Sequence, residues 1–116
     1  MLRIDIQRNS RSATLHCKGR IVFGMEIETL RSVLQSRPER VLEVDLAGIR
    51  TVDASGLGLL VELQHWANLG NRILYFTNAS EFVTRLVFMT RLYNVLVIAP
   101  GAGRVHREPA AAALTA

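Results

Sequence analysis

The strongest constraint on this chain is a junction between a strand and a helix. Val41 to Leu46 is an apolar and alternating run that reads as a buried strand. After a short gap comes Asp53-Ala54-Ser55-Gly56-Leu57-Gly58, which opens a largely apolar helical stretch to about Leu69. A small hydroxyl residue between strand and helix is the usual mark of an N-cap, so Ser55 is expected at the helix N-terminus. Two glycines in the first turn are unusual, because each costs roughly 1 kcal/mol relative to alanine inside a helix. Either a neighbouring element packs closely against that turn, or another protein must reach the Ser55 hydroxyl.

Around this junction the rest of the chain falls into order. Leu2, Ile4 and Ile6 alternate with Arg3, Asp5 and Gln7, and Ala13, Leu15 and Cys17 alternate with Thr14, His16 and Lys18. Two half-buried strands joined by the polar Asn9-Ser10-Arg11 make an antiparallel hairpin, with Gly19-Arg20 ending the second. Ile27, Leu30, Val33 and Leu34 form one apolar helical face, and Arg37-Pro38 stops that helix. Val41 to Leu46, apolar on both faces, suits the centre of a helix-covered sheet. In the helix after Ser55, Leu57, Leu60, Leu63 and Ala67 share one side, broadened by Val61. Ser55, Gly58, Glu62, His65 and Leu69 share the other. Gly70-Asn71 closes it in a left-handed turn.

Arg72 to Thr77 reads as a fourth strand. Asn78 with Glu81 resembles a capping box for a helix that carries Val83, Leu86 and Val87 inward. Leu96-Val97-Ile98 reads as a last short strand. The order β-β-α-β-α-β-α-β predicts one α/β domain over residues 1–99. Its mixed central sheet has the hairpin at one edge, and its helices alternate with the later strands in right-handed crossovers. Residues 100–116, rich in Ala and Gly, are expected to be a flexible tail.

Composition narrows the functional classes. The chain of 116 residues, 49% hydrophobic and 21% charged, suits one soluble domain. No apolar run approaches the roughly 20 residues that span a bilayer, and the N-terminus lacks a signal-peptide core, so a cytoplasmic location without membrane insertion is expected. The single Cys17 excludes an internal disulfide or a cysteine metal cluster and is expected in the core. The net charge is +4, but the fourteen basic residues include only one lysine and the arginines are scattered. With no basic block, nucleic-acid binding is not expected.

Catalytic patterns are missing. A nucleophile elbow needs glycine two residues before the serine, where Asp53 stands. Gly56-x-Gly58 superficially resembles a dinucleotide fingerprint, but the third glycine position holds Val61. His16, His65 and His106 have no neighbours that form a triad or a metal set. An enzyme is therefore not expected, and neither is a cofactor or a metal. What remains is Ser55, a hydroxyl at a helix end that favours negative charge. Phosphorylation there would add about −1.5 to −2 charges. The helix end tolerates such a charge, whereas a partner docked over it would have to bury it unpaired at a cost of several kcal/mol.

Strand Val44-Asp45-Leu46, the stretch Val52-Asp53-Ala54-Ser55-Gly56-Leu57-Gly58 and the turn Gly19-Arg20-Ile21 together resemble a STAS domain of the bacterial anti-sigma-factor antagonist family, from about Leu2 to Ile98. The resemblance implies an unphosphorylated form that sequesters an anti-sigma factor, itself a serine kinase, and so frees a sigma factor for transcription. Phosphorylation of Ser55 would break the complex, and a metal-dependent serine phosphatase would reset it. Asp53, Gly56 and Gly58 flank the phosphoacceptor, and Asp53 either helps present the hydroxyl or stabilises the turn. The expected contact surface comprises Ser55, Gly58, Leu59 as an exposed apolar anchor, Glu62, His65 and the loop around Gly24; any homodimer would be weak. Many regulatory members carry an aspartate where this chain has Val22. Domains of this type also serve as constitutive, non-phosphorylated subunits of signalling or lipid-transport complexes, in which case Ser55 would act only as an N-cap.

Overall fold

The structure, a computed structural model, describes residues 1–99. Strand β1 (Leu2–Arg8) and strand β2 (Ser12–Ile21) form the hairpin, followed by helix α1 (Met25–Gln35) and strand β3 (Val41–Val52). Helix α2 (Ala54–Leu69), strand β4 (Ile73–Thr77), helix α3 (Glu81–Met89) and a 3₁₀ turn (Leu92–Asn94) complete it. The sheet order is β1-β2-β3-β4, with β1 antiparallel to β2 and the two following pairs parallel. The mixed sheet with its edge hairpin is the architecture that the order of elements predicts. The hairpin is set by Asn9, whose Oδ1 accepts from the backbone N–H of Arg11 and Ser12 at 3.0 Å each.

Buried apolar strand residues fall on one face. Ala13, Leu15 and Cys17 of β2, Leu42, Val44 and Leu46 of β3, and Leu74 and Phe76 of β4 meet Leu30, Leu34, Leu60, Leu63, Val83 and Val87 of the helices in a single core. Burial pushes the Cys17 thiol up to about 12, with the Asp45 carboxylate adding to the effect. Cys17 is thus a core residue rather than a reactive thiol.

The other face corrects the reading of β3. Its two faces are not both apolar: Glu43 and Asp45 point away from the helices into a polar network. Thr77 Oγ1 donates to Glu43 Oε2 at 2.7 Å, and Thr14 Oγ1 donates to Glu43 Oε1 at 3.2 Å. His16 Nδ1 lies 2.7 Å from Asp45 Oδ2, and Asn78 Nδ2 donates to Asp45 Oδ1 at 2.9 Å. Each acid lies between hydrogen-bonding residues on the neighbouring strands or, for Asn78, just past the end of β4, which lets a central strand carry charge on this face.

Several ends shift. Strand β2 continues through Gly19-Arg20 to Ile21 instead of stopping there. The cap of α3 is Ser80, accepting from Val83 N at 3.1 Å, rather than Asn78, which has φ 56° and faces Asp45. At the end of α2 it is Asn71, with φ 57°, that turns left-handed, while Gly70 keeps φ −95°. The last strand is reduced to one parallel bridge, Ile98 beside Phe76, with Phe76 N donating to Val97 O and Ala99 N to Phe76 O. The expected tail, residues 100–116, lies outside the described residues. Among those described, no helix is long and apolar enough to cross a membrane.

Candidate functional site

The junction between β3 and α2 is built by Asp53, not Ser55. Asp53 is the N-cap of α2: its Oδ1 accepts from Gly56 N at 2.8 Å, and its extended backbone turns the chain into the helix. Its other carboxylate oxygen accepts from Phe23 N at 3.0 Å, which ties the loop between β2 and α1 to the start of α2. The backbone N–H groups of Phe23 and Gly56 hold the Asp53 carboxyl below the usual carboxylate range. Ser55 is the second residue of the helix, exposed, and its hydroxyl has no hydrogen-bond partner within the described chain. The expectation that Ser55 is the N-cap is thereby corrected: the aspartate two residues earlier reaches the orphan N–H first.

The two glycines have different reasons. A Cβ at Gly56 would overlap the Ile21 carbonyl oxygen and come within 2.9 Å of Val52 Cγ1, so close packing against the ends of β2 and β3 demands glycine there. A Cβ at Gly58 would meet nothing within 4 Å. Gly58 is exposed, one turn beyond Ser55 on the same face, and its missing side chain leaves the surface open. Close packing, one of the two explanations drawn from the sequence, holds at Gly56, while Gly58 leaves the surface beside Ser55 open.

Ser55 and Gly58 line a groove of about 670 Å³ between the N-terminal halves of α1 and α2. Its far wall is the Phe23-Gly24-Met25 loop. Gly24, with φ 118°, caps α1 with no side-chain hydrogen bond, and its neighbours Phe23 and Met25 are 81% and 77% exposed. Together they make the lip of the groove apolar and exposed. Leu59 lines the floor yet is only 2% exposed, so the expected apolar anchor on α2 is a core residue. Leu59 lies one turn beyond Ser55, offset by about 40° around the helix, and packs into the core cluster. The exposed apolar residues are on the opposite wall.

Glu62 is exposed on the groove side and is held by Arg31 of α1, whose Nε and Nη2 donate to its two carboxylate oxygens at 2.8 and 3.0 Å. Arg31 Nη1 also donates to Glu28 Oε2 at 2.8 Å. The hydrogen bond from Arg31 holds the Glu62 carboxyl below its ordinary range. His65, one turn beyond Glu62, is exposed but does not line the groove. Val22, half-buried after β2, precedes the Phe23 N–H that Asp53 holds. Of the expected residues the groove brings together Ser55, Gly58, Leu59, Glu62 and Gly24, with Asp53 and Gly56 behind them. Phe23, Met25, Glu28 and Arg31 were missed, although two large apolar residues astride a glycine before a helix carry a legible signal. Among the described residues no cluster of His, Cys, Asp and Glu could hold a metal.

The family described as Mlab, STAS domain, matches residues 4–98. No curated protein matches the sequence. Among solved structures, an anti-sigma factor antagonist from Mycobacterium paratuberculosis superposes with TM-score 0.69 at 13% identity, over 100% of this chain and 96% of that one. The phosphorylated form of the Bacillus cell fate determinant SpoIIAA gives TM-score 0.65 at 13% identity, over 84% and 91%. A sulfate transporter family protein from Wolinella succinogenes gives 0.67 at 21%, over 90% and 84%. Against Mglu, at 22% identity and TM-score 0.60, 66% of this chain matches and spans only 19% of that protein's length. At such identities these likenesses establish the fold, and the match over residues 4–98 establishes the rest: the chain belongs to the STAS domain family.

Proposed function

We propose that the chain is a protein-docking module of the anti-sigma-factor antagonist type, with the groove between α1 and α2 as its contact face and Ser55 as its phosphoacceptor. One observation carries the reading. An exposed, unpartnered serine hydroxyl stands beside an open glycine at the mouth of a groove whose opposite lip is apolar. The unmodified groove offers Phe23 and Met25 to an anti-sigma factor, which would itself be the serine kinase; a metal-dependent phosphatase would remove the phosphate. Among the described residues, the charged groups lining or flanking the groove are Asp53, Glu28 and Glu62 against Arg31, which two of those acids already hold. A phosphate of about −1.5 to −2 charges finds no free cation among the described residues that line the groove, so a partner seated over it would be expelled.

The test is phosphate stoichiometry at Ser55, by mass spectrometry of protein from its native host with phosphatases inhibited. Condition-dependent phosphate, with partner binding kept in Ser55→Ala and lost in Ser55→Asp, supports the switch. A partner that binds both variants equally removes it.

A second reading, a constitutive subunit of a larger signalling or transport assembly, is favoured by Val22 in place of the aspartate of many regulatory members and by the match to the Mlab family. It predicts no phosphate under any growth condition and no effect of Ser55→Asp.

A further inference from the structure

At the opposite end of the sheet, the register gathers arginines that are scattered in the sequence. Ser12 of β2 pairs with Val41 of β3, and Val41 pairs with Ile73 of β4. The residue immediately before each of these is an arginine: Arg11, Arg40 and Arg72. The chains are tied there by Val41 N donating to Arg11 O at 3.3 Å and Ile73 N donating to Arg40 O at 2.8 Å. Neighbouring strands are roughly 4.8 Å apart, so the three arginines stand in a row across the start of the parallel strands. Arg8 and Arg37 lie at the same end, on either side of the buried Glu39. Arg37 binds that carboxylate through two nitrogens at 3.0 and 2.8 Å, and Arg8 lies 3.8 Å from it.

Five arginines against one acid make this end +4. The other charged residues described, seven basic and eight acidic, nearly cancel. Glu39 is neutralised by Arg37, and Arg72 lies over the Trp66 ring at 4.5 Å. Arg11 and Arg40 are exposed and have no side-chain partner within the described chain. Between them opens a pocket of about 620 Å³, floored by Val41 and edged by Ser10, Pro38, the Arg37-bound Glu39 and the 53% exposed Ile73. That volume lies in the range of small-ligand pockets.

We propose that this pocket binds a phosphate-bearing ligand, gripped by Arg11 and Arg40 with its less polar part against Val41 and Ile73. Two guanidinium forks on adjacent strand ends suit one multiply charged oxyanion, since each presents parallel donors to its oxygens. The Asn9 turn holds the Arg11 backbone in place, so part of the ordering cost is met in the free protein. A polynucleotide would need a longer basic track with stacking aromatics, and the aromatic here, Trp66, is already covered by Arg72. The site lies away from Ser55 and does not depend on its role.

The test uses the full chain and three probes: inorganic pyrophosphate followed by amide NMR shifts, and cosedimentation with phosphatidylglycerol or with phosphatidylcholine vesicles. Saturable pyrophosphate shifts centred on Arg11, Arg40 and Ile73, with affinity reduced about tenfold or more in Arg11→Gln/Arg40→Gln, support a free phosphorylated ligand. Binding to phosphatidylglycerol but not phosphatidylcholine vesicles, lost in the same variant, supports a lipid headgroup as the source. Arg85→Ala, away from the pocket, is the control and should bind as the parent does. An unchanged affinity in the double variant overturns the proposal. So does the absence of both kinds of binding, or binding to a single-stranded oligonucleotide alone. Both side chains are exposed and unpaired, so an unchanged melting temperature will confirm that the variant is folded.

Discussion

The first three turns of α2 present two sides made of similar residues and put to opposite uses. On the inner side Gly56 sits against the ends of β2 and β3, and Leu57 and Leu60 are buried in the core, with Leu60 1% exposed. On the outer side Ser55, Gly58 and Glu62 face solvent across the groove. A glycine on each side is small for a different reason: one because backbone already occupies the space, the other because nothing does. The same helix therefore anchors the domain and displays its surface. Only the neighbours of each residue say which.

Substitutions separate the two sides. Leu60→Ala, which empties a fully packed position, should cost roughly 2–5 kcal/mol of unfolding free energy in a denaturant titration. Gly56→Ala should follow at about 1–3 kcal/mol, because the clash is with the Ile21 carbonyl and Val52 rather than with a movable side-chain end. Full stability in Gly56→Ala would break the comparison at its base.

Asp53 lies between the sides, and its effect is set by pH. Its carboxyl is depressed in the folded protein, first by the Phe23 N–H and then by that of Gly56. Its contribution is therefore complete above the ordinary aspartate value of about 3.9 and is lost as pH falls through the lower folded value. Asp53→Asn should flatten that part of the acid limb of melting temperature against pH. An acid limb identical to that of the parent would show that the clamp on Phe23 adds nothing.

The outer side should respond least in stability and most in binding. Gly58→Ala should leave stability unchanged or raise it by up to about 1 kcal/mol, since alanine favours helix. In the proposed docking mode it should weaken the partner by intruding on the groove. Glu62→Arg releases Arg31 and places two cations together; thermal stability should hardly move, because exposed ion pairs contribute little. Affinity for the partner should fall. A Glu62→Arg protein that binds its partner normally would remove this face from the contact.

What local chemistry writes was legible. Periods of two and of 3.6 residues marked the hairpin, the helices and the strand before Ser55, and these survived because each pattern reports its own element's burial. Ser55 was found as an exposed serine for the same reason, since glycine on its own face signals an open surface. The cap was misplaced because Asp53 and Ser55 are both good capping residues. The choice between them depends on which backbone N–H lies within reach, and at Asp53 it also involves Phe23, thirty residues away in sequence.

The sequence by itself determined the order of elements, the α/β class and the serine beside an open glycine, because hydrophobic spacing and turn chemistry act over a few residues. The tertiary structure decided the rest: that Glu43 and Asp45 face outward, that Leu59 is floor rather than anchor, and that Phe23 and Met25 supply the apolar lip. It also decided that Arg11, Arg40 and Arg72, far apart along the chain, stand side by side. Register between parallel strands is a through-space property set by packing and crossover length. No window of sequence contains it.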